Sequence, residues 1–122
     1  MKKWIGKAKV TDGQSWAETI ISLEERPRGE RSMKTHGGDP EEQPQRGQNA
    51  GAVSGLFFAS KKKCDSMEGW SLCIEKTAGN AAPTDFAIAA CLAFWHAFDE
   101  SIPADFDFEN WKEAEPTAAA DS

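Results

Sequence analysis

The run FAIAACLAFWHAF, residues 86 to 98, is apolar at every position but His96, and it limits the fold more than any other stretch. As a helix these thirteen residues rise about 20 Å. A bilayer core needs roughly 30 Å, so the run is too short for a membrane span. It reads instead as a buried helix over 84–99, with Thr84 as N-cap after Pro83 and Asp85 suiting the positive helix end. Pro103 is the expected stop. At about 100° per residue, Ile88, Cys91, Leu92, Phe94, Trp95 and Phe98 share a bulky arc of about 160°. Ala89, Ala93 and Ala97 climb the other side. A helix apolar all round is covered on both sides. The bulky face is expected to meet a sheet. The Ala ridge then needs a cover of its own: the C-terminal segment, a long loop, or a second copy in a homodimer through Ala89, Ala93 and Ala97.

The only reactive-looking pair on this helix is Cys91 and His96. Five residues apart, they stand about 140° from each other, which is wrong for a nucleophile and base or for two metal ligands. His96 and Glu100 have the spacing of a helix-end contact. A metal half-site would need His36 or further carboxylates. The chain shows no Gly-rich phosphate loop, no G-x-S-x-G and no H-E-x-x-H. No catalytic residue, metal or cofactor is expected, and an enzyme is not the favoured reading. Cys64, Cys73 and Cys91 are odd in number and lack C-x-x-C spacing, which suits reduced thiols. Lys7 and Lys9 interrupt any apolar core of an export signal, so a cytoplasmic protein is expected.

Asp12-Gly13 is the dipeptide of a two-residue hairpin turn. Centred there, the register pairs Thr11 with Gln14, Lys9 with Trp16, and Lys7 with Glu18. One face then collects Trp4, Ala8, Val10, Ala17, Ile21 and Leu23; the other collects Ile5, Lys7, Lys9, Trp16, Glu18 and Ile20. A rival reading makes residues 15–25 a helix, from the capping-box pattern Ser15-x-x-Glu18. The β-branched run Thr19-Ile20-Ile21 favours the strand. Residues 27–54 hold eight Pro and Gly and few apolar side chains, the composition of a mobile loop. Residues 55–61 and 70–76 alternate as two further strands. The predicted fold is therefore α+β: a small four-stranded antiparallel sheet of two hairpins, packed on one long helix in the C-terminal half. The irregular loop 27–54 and a disordered tail at 117–122 complete a single domain.

Charge separates along the chain. Residues 1–63 sum to +4 and residues 64–122 to −10, for a net −6. Residues 99–116 carry seven acids and one Lys, with aromatic rings set among them. Asp105, Phe106, Asp107, Phe108, Glu109 and Trp111 read as an acidic-aromatic segment that docks on the basic surface of a protein partner. The favoured function is thus a small acidic, non-catalytic protein-binding module of accessory or inhibitor type. One alternative is single-stranded nucleic-acid binding by Lys7, Lys9 and Trp16 with Lys61, Lys62 and Lys63. The acidic balance and the lack of a known nucleic-acid motif weigh against it. A further alternative is a phage or mobile-element inhibitor of a host nucleic-acid-binding factor.

Overall fold

A computed structural model of the chain describes residues 2–35, 43–100, 102–104, 106 and 112–113. In chain order its elements are β1 (Lys3–Thr11), β2 (Trp16–Glu25), β3 (Arg31–Thr35), α1 (Gln43–Asp65), β4 (Trp70–Gly79), α2 (Pro83–Ala97) and β5 (Lys112–Glu113). The strands form one sheet in the order β3-β4-β2-β1-β5. Both helices pack on the same face of it. The class is α+β, but the sheet is mixed: β3 runs parallel to β4, while the other neighbours are antiparallel. A parallel pair needs a crossover of a dozen or more residues, and α1 supplies it.

The first hairpin forms with a wider turn than Asp12-Gly13 alone predicts. Thr11 pairs with Trp16, so the loop is residues 12–15. The Asp12 carboxylate accepts the backbone N–H groups of Ser15 at 2.7 Å and Gln14 at 2.9 Å. Those donors, Ser15 first, hold its carboxyl below the usual range. This local ring outcompetes the two-residue turn. The register moves by two residues, and because side chains alternate with period two, every residue keeps its expected face. Residues 16–25 are strand, not helix.

The segment expected to be loop and strand is largely helix. Residues 31–35 form β3, residues 36–42 lie outside the described residues, and residues 43–65 form α1. The stretch 55–61, read as a strand, belongs to that helix, so β4 pairs with β2 and β3 rather than with it. The reason is an inverted pattern. The buried side of α1 is Gln48, Ala52, Gly55, Leu56, Ser60 and Cys64, while Phe57 and Phe58 are 58% and 71% exposed. Small and polar residues face inward and the largest rings face out, which cancels the usual amphipathic signature.

Contact between the helices explains why small residues are inside. A Cβ on Gly51 would strike the carbonyl oxygen of Pro83, and one on Gly55 the carbonyl oxygen of Ala87. The Cys91 thiol donates to the Gly55 carbonyl at 3.2 Å. Further along, Lys63 Nζ stands 4.4 Å from the Phe98 ring centre, so the helices run parallel. On its other side α2 meets β1 at Gly6. A Cβ there would overlap the Ala93 carbonyl oxygen and come within 2.9 Å of the Ala97 Cβ. The Ala ridge is therefore covered by the chain's own sheet. Ala89, Ala93 and Ala97 are buried within the chain, so the ridge expected to carry a homodimer is occupied by the sheet.

The ends of α2 also differ in detail from expectation. The helix starts at Pro83, with Ala82 as N-cap and no side-chain cap; Thr84 lies inside the first turn. It ends before Pro103 is reached. Asp99 takes a left-handed φ of 53°, and Glu100 N–H returns to the Trp95 carbonyl at 2.9 Å, closing a Schellman-type turn. Residues 117–122 lie outside the described residues.

Two of the three glycines of α1, Gly55 and Gly47, should respond oppositely to alanine. Gly55→Ala forces backbone apart and is expected to cost about 1–3 kcal/mol. At Gly47 the added Cβ meets only Pro83 Cγ, at 3.6 Å, so Gly47→Ala should gain about 0.5–1 kcal/mol from helix propensity. Urea midpoints at unchanged slope measure both; a shift of the same sign for the two would contradict this packing.

Candidate functional site

Alternation along the strands divides the sheet into a covered and an open face. On β1, Trp4, Gly6, Ala8 and Val10 point to the helices, which leaves Lys3, Ile5, Lys7 and Lys9 on the other side. On β2 the outward set is Trp16, Glu18, Ile20, Ser22 and Glu24. Ser71, Cys73 and Glu75 of β4 continue it, with Ser32 and Lys34 of β3. Between Ile20 and Ile21 the partner residue jumps from Lys76 to Ile74. This bulge keeps Thr77 inward, where its hydroxyl donates to Asn49 Oδ1 at 3.0 Å. Lys76 is left outward, 3.8 Å from Glu18. No helix covers this face among the described residues.

Trp16 is held through both of its backbone polar groups. Its N–H donates to Asn80 Oδ1 at 2.9 Å. Its carbonyl accepts from the N–H groups of Asn80 at 3.1 Å and Ala81 at 3.2 Å. Three bonds thus tie the start of β2 to the turn before α2, and Trp16 is half-buried. Lys9 Nζ lies 4.6 Å from its ring centre, a cation–π contact. Lys9 and Trp16 are diagonal neighbours across the hairpin, because Lys9 pairs with Glu18 and Trp16 with Thr11.

At the far end the face deepens into an open polar trough bounded by Lys3, Lys34 and the turn 26–30. Arg26 closes that end through Glu24 at 2.8 Å and Glu30 at 3.0 Å. Ser22 donates to Glu75 at 2.7 Å, and Ser32 to Ser71 at 3.1 Å. Cys73 forms part of the lining, and its thiol is pushed up to about 12, by burial first and then by the Glu75 charge. A thiol so held is protonated and a poor nucleophile.

The nucleic-acid candidates divide between the two layers. Lys7, Lys9 and Trp16 come together on the open face. Lys61 and Lys62 are exposed on α1, and Lys63 covers Phe98, so these three belong to the helix layer and do not extend the strip. Of the acidic-aromatic segment, only Phe106 is described. It stacks edge-on against Trp95, with ring centres 5.0 Å apart, and so acts as a core contact rather than a free anchor. Asp105, Asp107, Phe108, Glu109 and Trp111 lie outside the described residues. Reading in sequence missed Lys3 and Lys34. The first continues the outward series of β1; the second was hidden because β3 lies in the Pro- and Gly-rich stretch.

Among the described residues no three His, Cys, Asp or Glu side chains converge as a metal-ligand set. No helix there is long and apolar enough to cross a membrane. Charge is also distributed differently from the whole-chain figure. All 14 Lys and Arg, but 12 of the 20 Asp and Glu, fall within the described residues. That part of the chain is +2, and the remaining segments hold the excess acid.

No family model matches the chain, and no curated protein matches it in sequence. Among solved structures it is similar to ttk003000868 from Thermus thermophilus, at 18% identity and a TM-score of 0.57 over 77% of this chain. The match spans 15% of that protein's chain, and it shows a shared fold. A mevalonate diphosphate decarboxylase from Legionella pneumophila aligns at 11% identity and a TM-score of 0.32, over 84% of this chain and 43% of that one. At that score it carries no argument about this protein.

Cys73 and Cys91 are both raised from the ordinary 9.0 to about 12, chiefly by burial. Above pH 9 the unfolded chain would lose these protons while the folded chain keeps them. Their contribution to stability is therefore fully present below about pH 9 and is lost as pH rises toward 12. A thiol reagent at pH 8 should label native protein slowly and all three cysteines fast in denaturant. Rapid native labelling of Cys73 would refute its burial.

Proposed function

We propose that this chain is a non-catalytic binding domain whose open sheet face holds single-stranded nucleic acid. The observation that carries the reading is the Lys9–Trp16 pair, set in line with Lys7 and Lys3 on a face the helices leave bare. Lysines placed along a strand neutralise successive phosphates, and a fixed aromatic ring offers a stacking platform for a base. Trp16 suits that role because its backbone is pinned on both sides, so little ordering remains to be done on binding. Ile5 and Ile20, half-buried on the same face, add apolar surface between the charges. The described residues sum to +2, so the acidic excess that argued against nucleic acid in the sequence lies outside them. Binding fits the face better than chemistry: its one thiol is held protonated, and its carboxylates are engaged with Arg26, Lys76 or Ser22.

Fluorescence anisotropy of a labelled single-stranded oligonucleotide tests this. Trp16→Ala is expected to weaken binding by about 1–3 kcal/mol, the usual worth of one stacked base. Lys7→Ala and Lys9→Ala should each weaken it and lower the slope of log K against log salt by about 0.7. Lys61→Ala with Lys62→Ala should leave both quantities unchanged. Absence of binding at low salt, or loss confined to the α1 lysines, would overturn the proposal.

A further inference from the structure

The trough at the far end of the open face has a charge arrangement that the lysine line of β1 does not account for. It encloses about 730 Å³, in the range of small-ligand sites and enough for a nucleotide rather than a phosphate alone. Its carboxylates are already engaged. Glu24 and Glu30 share Arg26, and Glu75 accepts from Ser22. Two of its cations are not: Lys3 on β1 and Lys34 on β3 have no ion-pair partner among the described residues. Arg31 borders the trough as well, but its charge acts on Cys64 of the helix layer. Three strand spacings, about 14 Å, separate β1 from β3, and Cys73 lies between them. Burial and then Glu75 raise the Cys73 thiol, while Lys34 and Lys3 both pull against the rise. The two ammonium groups therefore converge over the trough from opposite sides. Ser32 and Ser71 spend one hydroxyl proton on their mutual hydrogen bond, which leaves the second free to donate to a ligand.

Two features say what such a site takes. The first is charge. A phosphodiester carries one negative charge, which a single lysine balances. A phosphate monoester carries roughly −1.5 to −2 near neutral pH and calls for a facing pair. The second is a wall. Residues 26–30 are tied to residues 68–70 by backbone hydrogen bonds: Arg26 N–H to the Gly69 carbonyl at 3.0 Å, Gly29 N–H to the Glu68 carbonyl at 3.0 Å, and Trp70 N–H to the Glu30 carbonyl at 2.8 Å. Arg26, clamped between Glu24 and Glu30, fills the corner. A strand that lies on Trp16 and follows Lys9, Lys7 and Lys3 meets this wall about 20 Å along β1 from Lys9. Its path ends where the facing lysines stand.

We propose that the trough seats the terminal phosphate of a bound single strand between Lys3 and Lys34, so that the open face takes strand ends in preference to strand interiors. The inference rests on the open face being the nucleic-acid surface. The group recognised is a phosphate monoester, which a strand can carry at its 5′ or its 3′ end. A strand laid in one direction brings only one of these ends to the wall.

Competition anisotropy on the full chain tests this, with one short oligonucleotide bearing a 5′-phosphate, a 3′-phosphate, or hydroxyls at both ends. One phosphorylated form is expected to bind about tenfold tighter than the hydroxyl form, the effect of a single added charge-assisted contact, and the other to bind like the hydroxyl form. Lys34→Ala should erase the difference, whereas Lys34→Arg and Lys61→Ala should keep it. Equal affinity of the three forms, an equal gain from either phosphate, or a gain undiminished by Lys34→Ala would overturn the inference and leave the open face as the binding surface. Binding of none of the three at low salt would overturn the nucleic-acid reading, and the strand-end site with it.

Discussion

The close approach of α2 to backbone on both sides is the interaction on which the rest of the structure depends. On one side β1 offers Gly6 to the Ala93 and Ala97 turn; on the other, α1 offers Gly51 and Gly55 to Pro83 and Ala87. Residues without side-chain bulk at these points let main chains touch, and dispersion contacts accumulate along the whole helix. Because α2 is wedged between β1 and α1, both helices are held to one face of the sheet. Among the described residues no third layer covers the other face. The geometry that makes the core compact thus also creates the candidate binding surface.

How much of this could be read in the sequence depended on whether a residue's role was local. The inward and outward sets of β1 and β2 follow from alternation, and they survive a register error of two because parity is preserved. The burial of α2 on all sides follows from its composition. What covers its Ala ridge does not, since Gly6 lies some ninety residues away and carries no signal of the contact it makes. For α1 the usual cue is reversed, with Phe57 and Phe58 outside and Gly55 and Ser60 inside, so the stretch imitates a strand at 55–61 and a loop before it. For β3, five residues with only Met33 facing the core offer too little pattern to distinguish from loop.

The candidate site shows the same division. Lys7, Lys9 and Trp16 sit on one hairpin, and alternation alone brings them together. Lys61 to Lys63 looked like an extension of that patch because charge is easy to count and layer is not. Their placement on α1 separates two surfaces with different chemistry: a cationic, aromatic sheet face and a helix stripe with bare rings at its centre. The acidic excess lies outside the described residues, which is why the net charge of −6 differs in sign from the +2 of the described part.

The central claim is that the open sheet face, and not the helix layer, meets the ligand. Amide and indole chemical shifts recorded during titration with a single-stranded oligonucleotide test it most directly. The account predicts changes at Lys7, Lys9 and the Trp16 indole, extending toward Lys3, with residues 57–62 unmoved. Changes confined to α1, with β1 and Trp16 silent, would contradict it.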